Sequence, residues 1–432
     1  MVKDSVDIES AFRPLNAVSK IVGLAHFSGN RNRFTGKIKR EGNRESKFAN
    51  VIWCIVVICA IVTAFVYSII TANFYSYYSV FNIVLFIFSM PLAYLGTLLA
   101  LIAGLTWNRK KFPEFVLMIA LFDEHLFGAN RAELYRKQCR YCIMQLAALL
   151  FFSFAYLCYN VYRYGAYSYY FFINRHVTSF IKEIVILQFI NLVWMVTERL
   201  EYLNKELASC LELRAELGCN FSVITGATFM SKNKSTLETS PLEPGNKGTG
   251  VLVSDFPVFR RRRPPFSEVE KLIRVRKLYN MLFQLSKLIN GMYGIHIISD
   301  LIYCFINFVI SIYAIIGVTT GSMGLPPTMS FFQHIVFYMY CIVTSLVRVT
   351  VISVSCNKAS AQIAECYQEI QQLLITDALR PDTRTQLKLL LQQVSSTRAL
   401  FTACDVFTVD LSVLFTFVTS AATYVIVMVQ LK

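Results

Sequence analysis

The sequence predicts an all-α protein that crosses a membrane seven times. Three observations predict it. Of 432 residues, 55% are hydrophobic and only 16% charged, against ~25% charged in soluble domains. Seven stretches are long and apolar enough to span a bilayer, which takes ~20 mostly apolar residues. The Lys and Arg collect in alternate linkers, as they do when one side of a membrane faces the cytoplasm. No succession of alternating segments of about ten residues marks a membrane β-barrel.

The chain opens on a polar, basic stretch, 1–47, carrying Arg31, Arg33, Lys37, Lys39, Arg40, Arg44 and Lys47. It reads as a mostly irregular cytoplasmic tail. No short apolar core of a signal peptide stands in MVKDSVDIESAF, so the first span is expected to insert by itself. Span one covers 48–74 and span two 80–107, joined by a linker with Tyr75, Tyr77 and Tyr78, residues suited to a membrane interface. In the basic linker 108–140, FPEFVLMIALFDEHLFG is amphipathic and too short to span; it reads as helix outside the bilayer.

Span three (141–162) and span four (180–196) flank an aromatic linker, 163–178. Span four runs on as a helix with Leu200, Leu203, Leu207 and Leu211 on one face, and Gly218 is its expected stop. The segment 219–266 is rich in Ser, Thr, Gly, Lys and Pro, includes the run Arg260 to Arg263, and reads as a disordered cytoplasmic loop.

Beyond it, 267–356 holds a basic amphipathic helix leading into span five (289–318), then span six (331–355). Residues 357–404 form a second helix pair outside the membrane, broken at Arg380-Pro381. Residues 405–432 are the last span. The chain thus divides into a tail (1–47), spans one to four with their extensions (48–218), the loop (219–266), spans five and six (267–356), anchor helices (357–404) and span seven. Nearly all Lys and Arg lie in the tail and the linkers on its side, which places the N-terminus in the cytoplasm and the C-terminus outside.

The net charge of +15 sits beside spans. It points to topology and anionic lipid rather than nucleic acid, for which no binding module is present. None of the 12 Cys has zinc-ligand spacing, and no nucleophile elbow, P-loop, HExxH or dinucleotide fingerprint occurs. Neither an enzyme nor a cofactor is expected. A G-protein-coupled receptor would share the seven spans, and Glu198-Arg199 follows span four as an acidic-Arg pair. Against it stand the opposite orientation and outer linkers without Cys for a disulfide.

Span seven carries a polar stripe. Asp405, Thr408, Ser412, Thr416, Thr419, Thr423 and Gln430 recur at steps of three, four or seven and share one helical face. Such a stripe either packs on other helices or faces water in a pore. Polar and aromatic residues of the expected outer half, namely Tyr156, Tyr159, Gln188, Asn191, Trp194, Asp300, Tyr303, Gln333, His334 and Tyr338, could line a pocket for a small organic molecule or bond helix to helix. Asp300 stands out because ionisable groups inside a membrane are costly and functional by default. Arg348 and Asp410, also in apolar surroundings, are expected to pair with each other or with headgroups.

TYVIVMVQL at 423–431 resembles the TYhhhhhQF signature (h, hydrophobic) that closes insect gustatory receptors: Thr423, Tyr424 and Gln430 match, and Leu431 stands where Phe is usual. Ala403-Cys404, followed by Phe407, Val409 and Asp410, is similar to that family's approach to its last span. The resemblance implies a fold like that of insect odorant receptors and a ligand-gated, nonselective cation channel in the plasma membrane of sensory neurons. It implies four subunits, identical or mixed with related receptors, around a pore lined by the seventh helix. Gln430 would ring the pore and Leu431 would form a hydrophobic gate, with Thr423, Thr419 and Thr416 along the lining. The ligand would be a tastant, bitter compounds first and sugars next; the other partners would be permeant cations and lipid.

Overall fold

The computed structural model describes residues 8–24, 30–31, 38–39, 44–72, 80–106, 108–127, 131–230, 268–321, 331–375, 379–396 and 401–430. Among them the chain is helical throughout apart from two short hairpins. The helices are α1 (Ile8–Ile21), α2 (Arg44–Ala72), α3 (Val80–Leu105), α4 (Asn108–Leu126), α5 (Arg131–Met230), α6 (Glu268–Thr319), α7 (Phe331–Ile375), α8 (Pro381–Ser396) and α9 (Leu411–Gln430). Strands β1 (Asn30–Arg31) and β2 (Ile38–Lys39) pair antiparallel, as do β3 (Thr402–Ala403) and β4 (Phe407–Thr408).

Six stretches of the described residues are long and apolar enough to cross a membrane. A seventh arises if Pro91–Leu105 of α3 and Asn108–Leu126 of α4, bent by 64° at their junction, count as one span. The expected all-α, multi-span architecture is therefore the one observed. The loop expected at 219–266 falls largely outside the described residues, but α5 carries helix past Gly218 to Met230.

The residues of α5 are helical along the backbone, but α5 is not one straight rod: its two arms fold back on each other. Gln138 meets Glu198, Gln145 meets Asn191, and Ser153 meets His176. Partner numbers fall as the first numbers rise, so the two arms are antiparallel and reverse between 153 and 176. The aromatic segment expected as an open linker is thus helical in the backbone.

Compact packing divides the chain into two units, one of residues 1–201, 278–364 and 397–432, the other of 202–277 and 365–396. In the larger unit the second arm of α5 and helix α6 are central. In the most apolar stretches of His176–Ser209 and Val269–Thr319, 72% and 61% of residues are buried, against 11% for Phe48–Tyr67 and for Ala132–Tyr159 and 17% for Leu411–Gln430. Trp53, Ile55, Val56, Val66 and Tyr67 of α2, and Phe151, Phe152 and Phe154 of α5, are exposed apolar side chains suited to hydrocarbon. In the smaller unit Leu203, Leu207, Leu272, Val275, Cys366 and Ile370 are buried, as are Leu387, Leu390 and Val394 of α8. Pro381 opens α8, where its missing N–H costs nothing.

Among the described residues of the tail expected to be irregular, Ile8–Ile21 form a helix. Ala11, Phe12, Leu15 and Ser19 are buried while Arg13, Ala17 and Lys20 are exposed, a helical pattern that makes α1 amphipathic. Phe12 packs edge-on to Phe112 at 6.0 Å. Gly23, at φ +80°, ends the helix, with Leu24 N donating to the Ser19 carbonyl at 2.8 Å. Trp53 Nε1 of α2 donates to the freed Ile21 carbonyl at 2.9 Å. The charge count of the tail hid this apolar face.

Candidate functional site

The residues expected to share one pocket fall into successive layers along the second arm of α5. Near its start, the Tyr156 ring stacks on Tyr340 at 4.4 Å and 10°, and on His176 at 5.8 Å. His176 Nε2 lies 2.9 Å from Ser153 Oγ. Tyr159, Gln333 and Tyr338 are half-buried, with Tyr338 edge-on to Phe337. The side chain of His334 lies outside the described residues.

A turn or two on, a charged layer forms. Arg348 Nη2 donates to Glu183 Oε1 at 2.6 Å and Ser179 Oγ at 3.0 Å, while Nη1 reaches Asp300 Oδ1 at 3.4 Å. Lys182 Nζ sits 3.2 Å from the centre of the Tyr303 ring face. Cys304 Sγ contacts Asp300 Oδ2 at 3.7 Å. Asp300 and Tyr303 do belong together, and Asp300 is buried as expected of a singular ionisable group. Lys182, Glu183 and Ser179 went unmarked in the sequence, although a Lys-Glu pair inside an apolar span carries the same signal as Asp300. Arg348 takes Glu183 and Asp300, not Asp410.

Deeper still, Gln188 Nε2 donates to Ser19 Oγ of α1 at 2.6 Å, and Tyr293 Oη donates to Gln188 Oε1 at 3.2 Å. Asn191 Nδ2 donates to Gln145 Oε1 and to the Leu187 carbonyl, both at 2.8 Å. Trp194 meets Tyr141 edge-on at 4.6 Å. These three side chains lie toward the end of the bundle where α1 packs. They do not join the Tyr156 layer, and Gln188 and Asn191 spend their polar atoms between helices.

The last layer holds Glu198 and Arg199, the acidic-Arg pair that follows span four. Arg199 is fully buried. Its Nε and Nη2 donate to Asp123 Oδ1 and Oδ2 at 2.8 and 2.7 Å, and its Nη1 to the Met195 carbonyl at 3.0 Å. Tyr135 Oη donates to Asp123 Oδ2 at 2.6 Å. Glu198 accepts from Gln138 and Lys137 at 3.1 and 3.3 Å.

The last helix begins later than expected. Cys404 and Asp405 have φ of 52° and 58°, left-handed values that non-Gly residues adopt in turns, and β3 and β4 pair around them. Asp405 Oδ1 accepts from Thr402 Oγ1 at 2.8 Å. Asp405 and Thr408 therefore lie in a hairpin and leave the stripe. Asp410 caps α9, accepting from Ser412 N at 2.8 Å; hydrogen bonds from the Ser412 hydroxyl, then its N–H, hold this carboxyl below its usual range. From Thr416 onward the stripe stands. Phe417, Ala421 and Val425 are buried on one side, with Phe417 against Phe305 and Phe308. Thr416, Thr419, Thr423 and Gln430 are exposed on the opposite side, about 180° away at 3.6 residues per turn. Thr419 and Thr423 donate to the Phe415 and Thr419 carbonyls at 2.9 and 3.0 Å. Tyr424 meets Phe305 edge-on at 5.7 Å. Leu431 lies outside the described residues.

A many-span helical bundle with polar layers in its interior and a last helix turned polar face outward is the architecture of a polytopic membrane protein. The model of the 7tm chemosensory receptor family matches residues 12–432, and the chain belongs to that family. Its fold is similar to the insect olfactory receptor OR5 from Machilis hrabei, with a TM-score of 0.61, 13% identity and 98% of each chain covered. It is also similar to the structure of that receptor in complex with eugenol, with a TM-score of 0.56, 12% identity, and 98% and 99% of the two chains covered. No curated protein matches the chain.

Proposed function

We propose that the protein is a gustatory receptor, a tastant-gated nonselective cation channel in the plasma membrane of sensory neurons, with its N-terminus in the cytoplasm and its C-terminus outside. The observation that carries the proposal is the exposed face of α9. Thr416, Thr419, Thr423 and Gln430 turn away from their own bundle, where a lipid contact would leave the Gln430 amide in hydrocarbon without partners. Four such helices around an axis, from identical subunits or related receptors, give these groups water and ions in place of lipid, with Leu431 as the apolar constriction. The TYhhhhhQ motif at 423–430 supports the same role.

The stacked Tyr156, Tyr340 and His176 offer flat apolar faces with one polar edge, and they suit a small aromatic ligand of the bitter class. The related fold solved with eugenol supports a small organic ligand. The charged layer around Asp300 favours a second reading, a sugar as ligand, because hydroxyls bond both carboxylates and ammonium groups. Binding opens the channel by as much as the ligand prefers the open state over the closed one.

The test is recording from cells expressing the receptor, alone and with related receptors, during a tastant screen, with Gln430→Glu as the probe of the pore. Ligand-evoked cation current whose selectivity or rectification changes in the variant supports the proposal. G-protein signalling without conductance, or unchanged permeation in a well-folded variant, overturns it.

A further inference from the structure

The charged layer contains two groups that the contacts described so far leave unsatisfied. Lys182 Nζ is buried and makes no hydrogen bond among the described residues; its near neighbour is the face of the Tyr303 ring. His296, 6% exposed, has neither Nδ1 nor Nε2 hydrogen-bonded to any described residue, and its ring meets Tyr293 edge-on at 6.4 Å. Leaving such groups bare is destabilising, and more so for a charged one. Both line one cavity of about 20 Å³, together with Gly96 and Ala100 of α3 and Ser299 and Asp300 of α6. Gly96 is where α3 comes close: a Cβ there would stand 2.9 Å from Ser299 Oγ.

We propose that this cavity is a binding site for one internal water molecule, which joins α3, α5 and α6 by bridging Lys182 and His296 to the Asp300 side of the cavity. The size selects the ligand. A water needs about 10–15 Å³ of such space and two to four polar partners, and this cavity supplies both. A tastant does not fit in it.

Charge selects against an ion. Lys182 and Arg348 are matched by Glu183 and Asp300, so an added halide would leave an uncompensated charge in an apolar surround. Water takes the Lys182 hydrogen bond on its oxygen, turns a hydrogen toward Asp300, and serves His296 as donor or acceptor in either tautomer. The inference stands apart from the channel proposal, since it concerns a site within one chain.

The experiment is a cryo-EM map of the full-length receptor in nanodiscs at a resolution that shows ordered water, for the wild type and Lys182→Met/His296→Phe. The expected result is one water-sized peak within hydrogen-bonding distance of Lys182 Nζ and a His296 nitrogen, lost in the double variant. No peak in the wild type, a peak that survives in the double variant, or density of an anion or an organic molecule overturns the proposal. Thermal unfolding of the two single variants and the double supplies a readout independent of the map. Because the groups share one water, the double variant loses less Tm than the sum of the singles; additive losses overturn the bridge.

Discussion

Asp123→Ala removes the carboxylate that holds Arg199. In the wild type the pair is fully buried on both sides, joined by two parallel hydrogen bonds of 2.7 and 2.8 Å, with Tyr135 adding a third at 2.6 Å. Taking away one member of a buried pair leaves a charge with no counterion, which costs about 3–5 kcal/mol. The Met195 carbonyl, which accepts from Nη1 at 3.0 Å, cannot replace a carboxylate. Tyr135→Phe deletes one hydrogen bond to a charged acceptor and should cost about 1.5–3 kcal/mol.

Asp123→Leu with Arg199→Met removes both charges and fills similar volume. It should recover most of what Asp123→Ala loses, because the desolvation of two ions disappears with their attraction. Equilibrium unfolding of the purified receptor in mixed micelles, with all variants measured in one lipid and detergent composition, reads these differences. A loss under about 1 kcal/mol for Asp123→Ala would show that Arg199 is solvated, as at a surface pair. Losses that simply add in the double variant would refute the buried pair as the reason.

Two further outcomes follow from the ends of α1 and α9. Phe12→Asp places a charge on the buried face of α1 and should release the helix, read as faster proteolytic cleavage within the first 24 residues and a lower Tm; unchanged cleavage would mean that α1 does not depend on that face. Asp410→Ala should cost about 1 kcal/mol and Asp410→Asn much less, since Asn also caps. The Asp410 carboxyl is lowered in the folded protein, so its contribution is complete above the ordinary carboxylate range, about pH 4, and fades as pH falls through the lowered value. A Tm difference between wild type and Asp410→Ala that stays flat from pH 7 to about pH 5 and narrows as pH falls through and below the ordinary carboxylate value, about 4, is the expected unfolding result; narrowing already at pH 6 would contradict it.

The helical spans were legible because hydrocarbon imposes one requirement on every residue of a span, and composition records it. Pro381 at the start of α8 and the buried Leu200, Leu203 and Leu207 followed from equally local rules. What was not legible is who pairs with whom. Arg199 and Asp123 are 76 residues apart, and spacing carries no trace of that choice. The same limit scattered the expected pocket: Tyr156, Gln188 and Asp300 lie in suitable segments, but depth along antiparallel helices sorts them into separate layers. The hairpin before α9 had a local signal that helical phase overrode, namely Thr402-Ala403 and Phe407-Thr408 flanking a Cys-Asp turn.

That hairpin leaves no slack at the foot of the last helix. Phe401 and Ala403 are buried, Asn290 donates to Thr402 at 3.3 Å, and the backbone of Cys404 lies so near Gly294 that a Cβ there would stand 2.8 Å from its nitrogen. The same turn of α6 presents Tyr293 to Gln188, and through it to Ser19. A residue added beside buried Phe401 or Ala403 would therefore displace α6 or α9, whereas the exposed tip, residues 404–408, has room for one. Related chains should keep their length at the buried root of this hairpin and vary it at the tip.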